Sequence, residues 1–333
     1  MEFKGYPKVE LHLHLDCSLS FEVLKRFDPS ASRTWFESNF VAPAKCLDLP
    51  DFLARAEQGI RMTQTAPQLR AVALDLLEQL REESVLYAEI RFAPLEHIRQ
   101  GLAPEEVVET VLDALREGSE TTGVKAGLIV CTLREYSAAK SLASAKLAVQ
   151  YHGRGVVGFD MAGNESDFPA DDHIESFRLA RKHGVPCSAH AGEAKGPESV
   201  WDSLRLFGVS RIGHGVRSIE DPDLVNELVE RGIHLEVCPS SNVQINVYNT
   251  LAEHPVDRLF RAGVSLGINT DSRTLSNTTL EREYQLLHRQ FGWGPEEFLQ
   301  CNLHALRSAF IPEGEKAPFA ELLTKGYGQK SEL

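Results

Sequence analysis

From residue 85 onward the chain alternates short apolar runs with stretches of helical periodicity, and that alternation limits the folds open to it. Residues 85–92, 125–133, 155–162, 185–191, 211–213, 234–237 and 264–269 read as strands: short, near-continuous apolar runs bounded by Gly, Pro and polar residues. Between and around them, residues 104–122, 137–151, 174–183, 199–207, 221–231 and 255–261 carry helical patterning. Continuous rather than alternating apolar strands belong to parallel sheets covered by helices. With a first strand near residues 9–16, there are eight strands, each followed by helix. The chain of 333 residues is therefore expected to be a single α/β domain over 1–333, a (β/α)8 TIM-type barrel. Residues 17–84 exceed what one crossover helix requires. Their helical segments (21–27 behind a Ser20 cap, 51–62, and 66–83 with Leu69, Val72, Leu76 and Leu80 on one stripe) read as an inserted lid or as a peripheral packing layer. Helices from Leu280 to the C-terminus are expected to cap the barrel.

The first strand, Val9-Glu10-Leu11-His12-Leu13-His14-Leu15-Asp16, carries the clearest chemical signal. A strand repeats with period two, so His12 and His14 leave the same face while Val9, Leu11, Leu13 and Leu15 leave the other. Two neutral imidazoles side by side are half of a divalent-metal site. An isolated H-x-H is equally a half-exposed strand with two polar residues, so the rest of the chain has to decide.

In a barrel of this type, chemistry gathers at the C-terminal ends of the strands. Those ends carry His12 and His14, Arg91, Asp160 to Glu165, His190 with Glu193, His214, Cys238 to Asn242, and Asp271 with Ser272. Four histidines and an aspartate at successive strand ends are hard to explain as packing. Glu193 follows His190 across Ala191-Gly192, which places a candidate ligand near a candidate proton carrier. His214 is flanked by Gly213 and Gly215, which allow close approach. Asp271 can supply an oxygen ligand and accept a proton from bound water. The fourth strand ends Asp160-Met161-Ala162-Gly163 without a lysine to bridge two ions, which favours one metal; Asp160 and Glu165 read as structural carboxylates.

Composition removes several classes of partner. A formal net charge of −13 repels nucleic acid and anionic membrane. No long uncharged apolar span is present, and the N-terminus has no apolar signal core. The six cysteines are scattered, with no C-x-x-C pair, as buried free thiols are. A soluble protein in the reducing cytoplasm is expected.

Taken together and in order, Glu10-Leu11-His12-Leu13-His14-Leu15-Asp16, His190-Ala191-Gly192-Glu193, Gly213-His214-Gly215 and Asn269-Thr270-Asp271 resemble the signature motifs of the adenosine deaminase family, with similarity running from about Pro7 to Tyr327. The resemblance implies a barrel hydrolase with one zinc ion per chain, acting on a purine nucleoside: adenosine, and 2′-deoxyadenosine, converted to the inosine product and ammonia. Carried over residue by residue, it implies His12, His14, His190 and Asp271 as zinc ligands. Glu193 would protonate the purine ring, and His214 would orient the attacking hydroxide, with Asp271 beside it. Asp16 would contact the ribose 5′-hydroxyl, Gly163 the purine N3, and His14 and Ser272 would complete the substrate contacts. Two positions depart from the family pattern: Ser272 stands where a second aspartate often meets purine N7, and Cys17 where a glycine commonly follows the aspartate. Both bear on which aminated purine is preferred. The alternatives are a deaminase of adenine, N6-methyl-AMP or aminodeoxyfutalosine, and, from another class, an inactive metal- or purine-binding barrel. Nothing in the sequence addresses oligomeric state.

Overall fold

The structure, a computed structural model, describes residues 2–330. Eight parallel strands occupy the expected places: β1 Lys8–His14, β2 Val85–Phe92, β3 Lys125–Leu133, β4 Val156–Ala162, β5 Ser188–Ala191, β6 Arg211–His214, β7 His234–Val237 and β8 Ser265–Ile268. They form two four-stranded parallel sheets, ordered β1-β2-β3-β4 and β5-β6-β7-β8. Single parallel bridges join the seams, Phe159 with Cys187 between β4 and β5, and Leu13 with Asp271 between β1 and the segment after β8. β5 begins later than its apolar run suggests, because Pro186 has no N–H to donate and contributes only its carbonyl, 2.9 Å from the Phe159 nitrogen. The helix expected at 199–207 begins at Pro197 and opens into a wider π-type turn over Ser203–Phe207.

The parity of β1 sets the layers. Val9 and Leu11 face outward and pack with Ala305, Leu306 and Leu323 on the C-terminal helices Pro295–Ser308 and Glu313–Lys330. Glu10, His12 and His14 take the opposite parity. The segment joining these C-terminal helices covers the barrel at the end away from the C-terminal strand ends: Phe310 stacks on the guanidinium of Arg211, the first residue of β6, at 3.8 Å.

The segment between β1 and β2 holds four helices, α1 Phe21–Phe27, α2 Arg33–Phe40, α3 Leu49–Arg61 and α4 Ala66–Glu82. Side-chain oxygens cap the first three, Ser20, Ser32 and Asp48 accepting from Val23, Trp35 and Asp51 nitrogens. The lid and the packing layer turn out to be different parts of this segment. α4 buries Leu69, Val72, Leu76 and Leu80 against the barrel wall, whereas α3 lies across the mouth. A Cβ on Gly59 of α3 would come within 2.6 Å of the Asp16 carbonyl oxygen, so that close approach requires glycine. Among the described residues no helix is long and apolar enough to cross a membrane.

Candidate active site

The four expected ligands converge at the strand ends. His14 Nε2 lies 3.2 Å from His190 Nε2, and Asp271 Oδ1 lies 3.5 Å from His12 Nε2 and 3.4 Å from His14 Nε2. A tetrahedral site with bonds of about 2.0–2.1 Å has edges of about 3.3–3.4 Å, so these separations suit one ion. Two further features fit a metal. His12 Nε2 is buried without a hydrogen-bond partner, and two imidazole nitrogens face one another. Burial pulls the pKa of His14 and His190 down, which keeps them neutral as ligation requires. His12 is shifted upward, because Asp271 and Glu236 outweigh its burial. A second cluster, His12, His214, Cys238 and Asp271, shares two of these residues. Burial holds the Cys238 thiol well above its ordinary pKa.

Backbone strain marks the same place. His214 and Asp271 have φ of 63° and 62°, a left-handed conformation uncommon outside glycine. Asp271 is held there by exchange with β1: its N–H donates to the His12 carbonyl at 2.9 Å, and its carbonyl accepts from His14 at 2.8 Å. Asn269 Oδ1 accepts from Leu11 and His12 nitrogens at 2.8 and 3.0 Å, and Ser241 donates to Asp271 Oδ2 at 2.6 Å.

Beneath the ligands lies a charged layer inside the barrel. Glu236 Oε2 is 2.9 Å from His12 Nδ1, and Asp160 Oδ2 is 3.0 Å from His190 Nδ1. Arg91 joins these two carboxylates, at 2.6 Å from Glu236 and 2.9 Å from Asp160, and Arg211 ties Glu236 on to Glu89. All are fully buried. Burial alone would raise both acids, yet Arg211 and Arg91 hold Glu236 low, and His190 and Arg91 hold Asp160 low. Two of the three candidate ligand histidines, His12 and His190, thus have a carboxylate beside their second nitrogen. Arg91→Met leaves both carboxylates short of their shared counter-charge, and breaking a buried ion pair typically costs about 3–5 kcal/mol. The expected outcome is a loss of that order in denaturant unfolding together with weaker metal retention; an unchanged midpoint refutes the clamp.

Glu193 and His214 meet beside the ligand cluster, with Glu193 Oε2 3.2 Å from His214 Nε2. The loop bearing Glu193 is wrapped around Glu165. That carboxylate accepts from the backbone nitrogens of Gly192, Glu193, Ala194 and Lys195 at 2.7, 3.1, 2.6 and 2.9 Å, and from the Ser199 hydroxyl. Burial first, then the negative charges of Glu165 and Asp271, push the Glu193 carboxyl well above its ordinary pKa. A carboxylic acid kept protonated near neutrality can act as an acid.

The tautomer of His214 follows from a chain of contacts that starts at a backbone N–H. Val256 N–H donates to His254 Nδ1 at 3.2 Å, so the proton of the neutral His254 ring is on Nε2. That Nε2–H donates to Asn242 Oδ1 at 3.1 Å, which turns the amide nitrogen toward His214 Nδ1, also at 3.1 Å. His214 Nδ1 accepts, and its Nε2 carries the proton aimed into the site.

These groups open onto a cavity of about 410 Å³ lined by His14, Asp16, Gly163, His190, Glu193, His214, Asp271 and Ser272, within the size range of small-molecule sites. Leu49, Phe52, Leu53, Ala56 and Ile60 of α3 supply its apolar wall, so the inserted segment is part of the site. Gly163 has φ of 97°, and a Cβ there would run into the Glu135 carboxylate. Cys17 also lines the cavity, its thiol pKa pushed up by burial. Of the site residues expected from the sequence, all but His12 line this cavity, and His12 lies behind them, 3.5 Å from Asp271. Sequence reasoning missed Glu236, His254 and His97. A glutamate inside the strand His-Leu-Glu-Val on the parity of a buried face was the available signal for Glu236; nothing local marks the other two.

The family model described as adenosine deaminase matches residues 7–326. An adenosine deaminase of Enterococcus faecalis is 37% identical over 327 residues, covering 96% of this chain and 97% of that protein. Adenosine deaminase 1 of Streptomyces coelicolor is 35% identical over 356 residues, covering 98% and 88%. Among solved structures, an adenine deaminase from Arthrobacter aurescens superposes with a TM-score of 0.88 at 26% identity, covering 96% of this chain and 98% of its own. An amidohydrolase from B. ambifaria, solved with bound zinc, shares the fold with a TM-score of 0.90 at 23% identity, covering 99% and 93%. Full-length agreement with a family model and with relatives above 30% identity leaves no part of the barrel unaccounted for, and the chain belongs to the adenosine deaminase family.

Proposed function

We propose that the protein hydrolyses adenosine and 2′-deoxyadenosine to the corresponding inosine and ammonia, using one zinc ion per chain held by His12, His14, His190 and Asp271. The observation that carries this reading is a cluster of three histidines, His12, His14 and His190, with Asp271 3.4–3.5 Å from two of them, beside a cavity lined by a buried Glu193 whose pKa is raised. When bound, zinc supplies Lewis acidity that makes a water nucleophilic near neutral pH. The chain's own residues do the rest. Glu193 donates its proton to a purine ring nitrogen, which draws electron density from the amine-bearing carbon. His214 donates from Nε2 to the attacking oxygen. Asp271 faces the same oxygen, takes up the proton of the attacking water and returns it to the amine, which leaves as ammonia. Gly163 offers its backbone N–H to the purine N3, Ser272 its hydroxyl to the far ring nitrogen, and Asp16 and His14 meet the ribose.

The same reading makes the partner a small purine nucleoside and not nucleic acid or membrane, given the net charge of −13. Six unpaired thiols fit a reducing, cytoplasmic compartment, and residues 1–333 would act as one domain.

The likeness to an adenine deaminase makes base-versus-nucleoside choice the test. A site built to bond a hydroxyl rejects the analogue lacking it, because its own polar group is left unpaired. Wild type is expected to favour adenosine over adenine in kcat/KM by about 100-fold or more, and Asp16→Ala to narrow that gap. A wild-type preference for free adenine overturns the nucleoside assignment.

A further inference from the structure

Asp16 lies in the single 3-10 turn Leu15–Cys17 that follows β1. Its oxygens are committed on one side. Oδ2 accepts from the Ala93 nitrogen at 3.3 Å, and Oδ1 is in hydrogen-bond contact with Nε2 of His97. His97 is 1% exposed and stands behind the cavity wall. Its other nitrogen, Nδ1, faces the Thr63 carbonyl at 2.9 Å and the Thr63 hydroxyl oxygen at 3.1 Å. That hydroxyl gives its own proton to the Gly59 and Ile60 carbonyls, at 3.0 and 3.1 Å, so both Thr63 oxygens are acceptors for Nδ1–H.

Thr63 is itself anchored through its neighbour. The Gln64 amide donates to the carbonyls of Ile60 and Glu96, at 2.6 and 2.9 Å, and accepts from the Arg99 nitrogen at 2.9 Å. The loop after α3 is thereby fastened to the segment after β2. An imidazole held at both nitrogens has one ring orientation, and the carboxylate bonded to it has one rotamer. An aspartate without such a partner can turn about two side-chain torsions.

We infer that His97 is a positioning residue for substrate choice: it fixes the Asp16 carboxylate so that its free lone pairs meet a ribose 5′-hydroxyl, without itself reaching the cavity. This rests on the nucleoside reading above. Selection for a ribosylated 6-aminopurine then depends on the α3–α4 loop through Thr63, as well as on the aspartate that touches the sugar.

The test compares adenosine with 5′-deoxyadenosine, which differ only in the hydroxyl that Asp16 meets. Hydrogen bonds to charged groups carry discrimination of about tenfold or more. Wild type is expected to prefer adenosine by at least that factor, and Asp16→Ala to lose the preference. In His97→Asn the amide nitrogen takes the place of Nδ1 and keeps the Thr63 contact but cannot reach Asp16; in His97→Gln it takes the place of Nε2 and can. The preference should therefore collapse toward the Asp16→Ala value in His97→Asn, mainly through a higher KM for adenosine, and largely return in His97→Gln. Zinc content should match wild type in both. His97→Leu replaces His97→Asn if the latter folds poorly. Retention of the wild-type preference in His97→Asn overturns the inference, as does an equal loss in the Asn and Gln variants, which marks a structural role only. Failure of the underlying reading looks different: wild type itself then treats the two nucleosides alike.

Discussion

Glu193→Gln is expected to keep its metal and to lose at least about 10²–10⁴-fold in kcat, the range general acid–base groups contribute. Glutamine preserves the shape of a side chain that is 3% exposed and held in a loop fastened to Glu165. It cannot donate the proton that the purine ring requires. Metal analysis and single-turnover rates separate this outcome from a folding defect. The pH profile supplies a second check. Burial, with Glu165 and Asp271 nearby, raises the Glu193 pKa, so the protonated acid persists above the ordinary carboxylate range. Turnover that depends on it should fall as pH rises through that elevated value, and this limb should be absent from the residual rate of Glu193→Gln. Near-normal turnover in the variant removes Glu193 from the chemistry.

Loss of the metal is expected to abolish activity altogether. A strong chelator, or Ala at His12, His14, His190 or Asp271, should lower metal content from about one ion per chain and turnover in parallel. The physical reason is the packing of donors: imidazole nitrogens 3.2 Å apart and a carboxylate oxygen at 3.4–3.5 Å gain little from one another without a cation between them. An ion that binds the folded chain and not the unfolded one also raises stability by mass action. Chelated protein should therefore melt at a lower temperature, and added zinc should reverse both losses. Full activity in a metal-free preparation contradicts the ligand assignment and the hydrolytic mechanism together.

The barrel was legible in the chain because each βα unit is local. Apolar runs of three to nine residues between helical stretches state their own type, and the eight runs fall where β1 to β8 are found. Boundaries moved where a single residue withheld a hydrogen bond, as Pro186 does at the start of β5. The candidate ligands were legible for a related reason. His12 and His14 share a strand face by period two, and His190, His214 and Asp271 stand at or just past strand ends, where a barrel of this type gathers its chemistry. Nothing beyond parity and strand position was needed to suspect that they meet, and the family resemblance supplied their roles.

What holds those residues in place could be decided only by the tertiary structure. The carboxylate that orients His12 is Glu236, 224 positions away, and the arginine joining it to Asp160 comes from a third strand. Such contacts depend on strand register and barrel closure, which no short-range pattern encodes. The same holds for the Val256–His254–Asn242 chain that sets the His214 tautomer, and for the division of the long insertion into a wall helix and a packing helix. His97 shows the limit most plainly. In sequence it is one histidine in a turn after a strand, and only the approach of Thr63 on one side and Asp16 on the other gives both of its nitrogens a task. Sequence by itself determined the strands and the shared face of His12 and His14, because those follow from local periodicity, and the resemblance carried by its motifs implied the reaction class. The polar network beneath and beside them was decided by folding, because hydrogen bonds between distant residues exist only once the barrel brings those residues within about 3 Å.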